Sequence, residues 1–447
     1  MKTIDHNLAE EILKKAKSYG ATDGDVVFAE GNTATVRVRQ AAIETLSKAR
    51  EKRLGLRIFV GKRSAVSSTS DLSSDALDRF IQDTCALATA VVEDPDSGLP
   101  ADDTLAQDLP NLSIHDDSEC TMDDHIDQAE RAEAVIFPFD TRITNSEGAE
   151  FNSGKGRSLY ANSRGFFGEY TSSSYSLSVS PIASEHGKMQ RDSWYTVHRM
   201  IAGLEAPEAV GTEAARRAIR RLGARKLQTQ SSPIVFDPES ASSLLGILSG
   251  AVSGSSLYRD ASYLKDKLGE KVAPEWMTIY DDGRMPGGLG SRPYDGEGLP
   301  TRRTTVVDRG VLSSYLLDTY SARKLQLTST GNASRGIGSG PSVGATNFYA
   351  VAGEHTPETI IRSIKHGFYV TDMMGFGVNM VTGDFSRGAI GIWIENGELT
   401  YAVDEVTIAG NLRDMFLNIE MLGNDLTFRG SVSCPTMKIS EMMIAGE

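Results

Sequence analysis

A chain of 447 residues exceeds what one ordinary hydrophobic core organises, so two or three domains are expected. Apolar residues at 40% and charged residues at 24% are the balance of a folded soluble protein. The net charge of −14 argues against a protein that grips double-stranded nucleic acid through cationic contacts, and no apolar run approaches the roughly eighteen residues of a membrane span.

The three cysteines, Cys85, Cys120 and Cys434, are odd in number and far apart, which argues for a reducing compartment rather than a disulfide framework. The first residues are charged and amphipathic, without the apolar core of a secretory leader, so a cytoplasmic location is expected.

The elements read as an α+β chain: an α/β N-terminal domain with a largely antiparallel sheet, then a β-rich C-terminal domain. Residues 6–19 place Leu8, Ile12, Leu13 and Ala16 at helical spacing, and Gly20 ends the run. Strands are expected at 26–28, 33–38 and 54–60, with a short one near Val66 and a hairpin turn at Glu30-Gly31-Asn32. A helix after Ser73 or Ser74, with Leu77, Phe80, Ile81 and Cys85 inward, closes the first domain at residue 92.

Residues 93–127 hold twelve acidic residues and no Lys or Arg, and so carry nearly all of the net charge. With Pro95, Pro100 and Pro110, the stretch 93–120 reads as a solvated acidic connector, with a docking strip for a basic partner as the sharper alternative. A middle segment, 121–227, follows. It opens on a helix near 122–136, continues with strands at 157–161, 166–170 and 175–179, and ends on a helix over 207–222. That last helix has Pro207 in its first turn and Arg216, Arg217, Arg220 and Arg221 late, a polarity that suits the helix dipole and reads as a solvated end.

The last domain is expected over 228–447. Residues 234–236 read as a strand and 240–252 as an apolar helix. Strands follow at 277–280, 304–307, 311–317, 368–371, 389–395 and 398–401, with Asn396-Gly397 as a hairpin turn and a final helix over 411–421.

Motifs for chemistry are sparse. Of seven histidines no two lie within nine residues, and neither HExxH nor HExxxH occurs, so no helix presents paired imidazoles to a metal. Cys120, Asp123, Asp124 and His125 are suitable ligand types, but a helix N-cap at Thr121 or Asp123 explains them more simply. The glycine-rich run Gly336-Ile337-Gly338-Ser339-Gly340 lacks a P-loop lysine, and no GxSxG elbow surrounds any serine. Ser386 needs a positioned base, and the sequence does not place His355 or His366 beside it. Asp384 and Arg387 either pair with each other or meet the charged groups of a peptide.

From residue 370 the chain reads VTDMMGFGVNMVTGDFSRGAIGIWIENGELTYAVDEVTIAGNLRDMFLNIEMLGNDL, and it ends on SVSCPTMKISEMMIAGE. This closely resembles the C-terminal domain of the TldD/TldE (PmbA) family, also called modulator of DNA gyrase. Leu54-Gly55-Leu56-Arg57-Ile58, Arg142-Ile143-Thr144-Asn145-Ser146-Glu147-Gly148, Tyr175-Ser176-Leu177-Ser178-Val179-Ser180-Pro181 and Met189-Gln190-Arg191-Asp192 extend the resemblance over nearly the whole chain.

The resemblance implies a TldE/PmbA-like subunit of a cytoplasmic zinc metallopeptidase complex that degrades or trims unfolded or modified peptides. Zinc is expected in a TldD-like partner and no cofactor in this chain. The position of the partner's HExxxH motif falls near residues 245–250, which here read Leu-Gly-Ile-Leu-Ser-Gly, so no catalytic residue carries over. Asn379, Thr382, Asp384, Ser386 and Arg387 are the candidates for a peptide-facing surface. A homodimeric peptide-binding protein without a protease partner, and an autonomous hydrolase with an unorthodox site, are the alternatives. No nucleic acid or membrane partner is expected.

Overall fold

The computed structural model describes residues 5–446. Four long antiparallel strands carry the N-terminal half: Asp23–Arg39, Ala42–Val60, Ile143–Asn162 and Phe167–Glu185. Arg63–Thr69, Lys188–Arg191 and Trp194–His198 complete a seven-stranded sheet. Residues before and after the connector thus share one sheet, since Asp23–Arg39 pairs with both Ala42–Val60 and Ile143–Asn162.

Strand alternation sends Val26, Phe28, Val36 and Val38 to one face, where all are buried. The helices His6–Ser18 and Ser74–Ala90 cover one end of that face through Leu8, Ile12, Leu77 and Ile81. The helices Met122–Ala134 and Pro207–Arg220 cover the other end through Ala129, Ala132, Val210 and Ala214. Each large apolar side chain so buried contributes about 1.5–3 kcal/mol, which is why this face holds its helices.

The hairpin expected at Glu30-Gly31-Asn32 is absent, because Gly31 lies mid-strand, paired with Gly156. The chain turns instead at Gln40 and Ala41, whose φ values of 52° and 59° are costly for residues with a Cβ. The buried carboxylate of Glu133 accepts both amides, at 3.0 and 3.1 Å, and so fixes the turn from a distant helix. The expected break at residues 171–174 is also absent. Ser173 is buried in a continuous strand, its hydroxyl donating to the Arg199 carbonyl at 2.6 Å.

The acidic stretch is no free solvated connector. Leu99, Leu105, Leu112 and Ile114 are buried, and part of its charge is met within the chain, while Asp103, Asp108 and Glu119 stay exposed. Asp94 accepts from the Tyr320 hydroxyl at 2.6 Å, and Lys324 lies 2.9 Å from Asp96. Arg323 donates to the carbonyls of Asp96, Gly98 and Leu99. Thr121 caps the next helix in a reciprocal box with Asp124.

In the C-terminal half, Gln230–Phe236, His366–Met374, Asp384–Glu395, Glu398–Asn411 and Met437–Ala445 pair in a ring, closed by the pairing of the last two. Closure removes free edges from these strands. A five-stranded sheet containing Ile279–Asp282, Arg303–Asp308 and Phe348–Ala350 stands beside it. The helix Pro238–Ala251 packs into the core between the two through Leu244, Leu245 and Leu248, which accounts for its apolar sequence.

The strand expected over 311–317 is only Val311–Leu312. The helix expected over 411–421 stops at Leu417, and Ile419–Leu422 pairs as a strand with Met437–Ala445. Asn396 and Gly397 form the expected turn, both with positive φ. Among the described residues no helix is long and apolar enough to cross a membrane.

Candidate functional site

The helix Pro238–Ala251 starts at Asp237, whose carboxylate accepts from the Ser240 amide at 2.9 Å. Pro238 follows at the first helical position, where its missing N–H costs nothing. The helix buries one side, and on the other it presents Ser242, Ser243, Gly246, Ile247 and Gly250, small or part-exposed residues at three- and four-residue spacing. Two segments frame that side. The Cys434 amide donates to the Ser242 hydroxyl at 2.9 Å, and Arg387 donates to the Ser243 hydroxyl at 3.1 Å. A side chain at Gly250 would touch Met380, whereas one at Gly246 would meet open space.

Arg387 and Met380 belong to a hairpin joining His366–Met374 to Asp384–Glu395. Its loop is held from within. The Asn379 side chain accepts from the amides of Val381 and Thr382, at 3.0 and 3.3 Å. The Thr382 hydroxyl donates to Asp384 at 2.6 Å, and Asn411 donates to Asp384 at 3.2 Å. These donors hold the Asp384 carboxyl below its ordinary range. Gly377 permits no side chain, since a Cβ there would fall 1.8 Å from the Ser386 carbonyl oxygen.

Of the five residues singled out from sequence, Asn379, Thr382 and Asp384 therefore build the loop. Arg387 ties it to the helix and to the Met373 carbonyl at 3.2 Å, so Asp384 and Arg387 do not pair. Ser386 is exposed, and its amide bonds the Gly377 carbonyl. No imidazole stands beside it along this hairpin: His366 sits opposite Glu395, nine residues from Ser386 and about 30 Å away at strand spacing. The sequence reading missed Phe376, which is fully exposed at the loop tip, together with Met374 and Val381, each about half exposed. Two large apolar residues around Gly375 were the available signal.

Zinc, the metal of the family that the sequence resembles, does not fit the residues around this helix. The helix carries no His, Asp or Cys in its framed stretch. Burial pushes the Cys434 thiol well above its ordinary range, away from the thiolate that a metal needs. Among the described residues no three His, Cys, Asp or Glu side chains are grouped to hold a metal ion.

Of the late arginines expected at a solvated helix end, only Arg216 is exposed. Arg217 is buried, with Asp192 at 3.3 Å and Asp237 at 3.6 Å, and stacks on Trp194 at 5.0 Å. Tyr195 donates to Glu239 at 2.9 Å. The N-terminal half thus holds the start of the framed helix. Burial pushes the Asp237 carboxyl up to about 6, against the pull of Arg217 and the Ser240 amide. A raised folded-state pKa means that the native state binds this proton more tightly. The group therefore costs stability as pH rises from about 4 to about 6. Asp237→Asn keeps a capping oxygen and loses the titration. Its stability relative to wild type is expected to rise by about 3 kcal/mol between pH 4 and pH 7. Denaturant unfolding of both proteins at the two pH values checks this, and parallel pH profiles would contradict it.

A helix-covered sheet beside a closed barrel, with one buried helix framed by a cysteine segment and a hairpin, defines an α+β scaffold. Residues 229–446 match the PmbA/TldA metallopeptidase C-terminal domain, 116–222 the central domain and 24–88 domain 1. The chain belongs to the PmbA/TldD family.

It is 39% identical to the metalloprotease PmbA of Escherichia coli O157:H7 over 436 residues, 97% of this chain and 94% of that one. It is 35% identical to the PmbA homologue of Haemophilus influenzae, covering 98% and 97%. A crystal structure of a putative modulator of DNA gyrase from Bacteroides thetaiotaomicron superposes with a TM-score of 0.92 at 28% identity, covering 99% of this chain and 98% of that one. TldE from Thermococcus kodakarensis shares the fold, with a TM-score of 0.88 at 21% identity, covering 98% and 99%.

Proposed function

We propose that this chain is the non-catalytic, TldE/PmbA-like subunit of a cytoplasmic zinc peptidase complex, paired with a zinc-bearing TldD-like subunit that cleaves unfolded or modified peptides. One observation carries the reading. The framed helix keeps its place between Cys434 and the 372–388 hairpin, yet offers Gly246, Ile247, Ser249 and Gly250 where a metal site needs imidazoles and a general base. In this reading the hairpin faces the enclosed chamber. Met374, Phe376 and Val381 hold apolar side chains of an extended peptide, while Ser386 and Arg387 flank its backbone. Enclosure spares folded proteins by excluding them sterically.

The pairing is tested by mixing this chain with an HExxxH-bearing homologue from the same genome and measuring mass by analytical ultracentrifugation. A one-to-one heterodimer is the expected result. A homodimer indifferent to the homologue contradicts it.

A further inference from the structure

The second face of the N-terminal sheet, opposite its helices, meets the C-terminal half across a cleft of about 260 Å³. Val27 and Tyr160 line it from the sheet, and Arg292, Tyr294, Arg335 and Ile337 from the other side. The Arg335 side chain is only 1% exposed. One of its terminal nitrogens, Nη1, bonds Asp25, but Nε and Nη2 are buried without a hydrogen-bond partner among the described residues. Arg292 repeats the pattern, with Nε and Nη2 buried and unpartnered among the described residues. Guanidinium N–H groups withdrawn from water and left unmatched are costly, and protein interiors rarely leave them so.

The neighbouring carboxylates do not answer them. Asp25 is shared between Arg57 and Arg335. Asp295 accepts three amides, from Glu297, Leu299 and Ala333. Glu297 accepts the Thr319 amide and lies 3.5 Å from Arg57. Asp281 is taken by Asn332 and the Thr346 amide, and Glu169 by Arg157. Burial, and for Asp295 the neighbouring Glu297, pushes both carboxyls above their ordinary range.

The glycine-rich run that matched no nucleotide motif in the sequence closes this cleft. Gly336 and Ile337 line it, and the loop is pressed onto the sheet where a Cβ at Gly55 would fall 1.9 Å from the Ile337 carbonyl oxygen.

We propose that this cleft binds a small ligand bearing an oxyanion, a carboxylate or a phosphate ester, through the free N–H groups of Arg292 and Arg335. Guanidinium forks match the paired oxygens of both groups. Tyr160, Tyr170 and Tyr294, which pack edge-on or tilted at 5.5 to 6.5 Å, supply an aromatic wall for the remainder of the ligand.

The test is isothermal titration calorimetry on the full chain with inorganic phosphate, phenyl phosphate and benzoate, at ionic strength matched with sodium chloride. Saturable binding of the two phosphates assigns the phosphate class, and binding of benzoate alone assigns the carboxylate class. In either case Kd is expected to weaken at least tenfold in Arg292→Gln and to stay unchanged in Arg79→Gln, on a helix across the sheet. Arg335→Gln would strip Asp25 of a partner, so Arg292 carries the test. Should Arg292→Gln not fold, Arg292→Lys keeps the charge without the fork and is expected to weaken binding at least threefold. No saturable heat with any of the three probes overturns the proposal, and so does equal binding by wild type and the Arg292 variant.

Discussion

Asp25→Ala is expected to lose about 3–5 kcal/mol of folding stability, the cost of leaving buried guanidinium groups without their counter-charge. Asp25 is wholly buried where the sheet meets the C-terminal half. It accepts from Arg57 at 2.8 and 2.5 Å and from Arg335. Burial alone would raise its pKa, but Arg335 and then Arg57 outweigh that and hold the carboxyl below its ordinary range. A lowered folded-state pKa makes the contribution present above about pH 4 and lost as pH falls through the folded value. The loss in Asp25→Ala is thus largest near neutrality and shrinks in acid. Urea unfolding at pH 7 measures it, and a change under about 1 kcal/mol would show that the network carries little of the fold.

Phe376→Asp is expected to reduce kcat/KM of the two-subunit complex for an apolar unstructured peptide at least tenfold, with heterodimer formation and zinc content unchanged. A fully exposed phenyl ring at a loop tip is maintained against its own hydration, which marks a surface that meets something apolar. The loop beneath it is fixed by Asn379, Thr382, Asp384 and Gly377, so the aspartate alters the tip and not its support. Peptide cleavage by the purified complex reads the effect. Loss of assembly instead of loss of cleavage would move the hairpin from the peptide chamber to the subunit interface.

Much of the fold was legible because its signals are local. Period-2 burial marks Val26, Phe28, Val36 and Val38 as one face, and Asn-Gly at 396–397 sets a hairpin. The errors came where a distant group decides. Gln40 and Ala41 turn because Glu133, over ninety residues away in sequence, accepts their amides. Gly31 reads as a turn residue and lies instead in mid-strand, paired with Gly156 of the neighbouring strand. The acidic stretch is held by Tyr320, Arg323 and Lys324, which no local charge count reveals.

The candidate site divides the same way. Its polar residues drew notice by chemistry, yet three of the five support the loop. The exposed aromatic that most sharply distinguishes the surface is invisible without knowing which apolar residues lack a core.

The central claim is that this chain completes a peptidase without holding its metal. The most direct measurement is zinc content, together with cleavage of an unstructured peptide, for this chain, for an HExxxH-bearing homologue from the same genome, and for their co-expressed mixture. Zinc confined to the homologue, with cleavage that requires both chains, is the predicted result. Zinc or cleavage in this chain alone would contradict it.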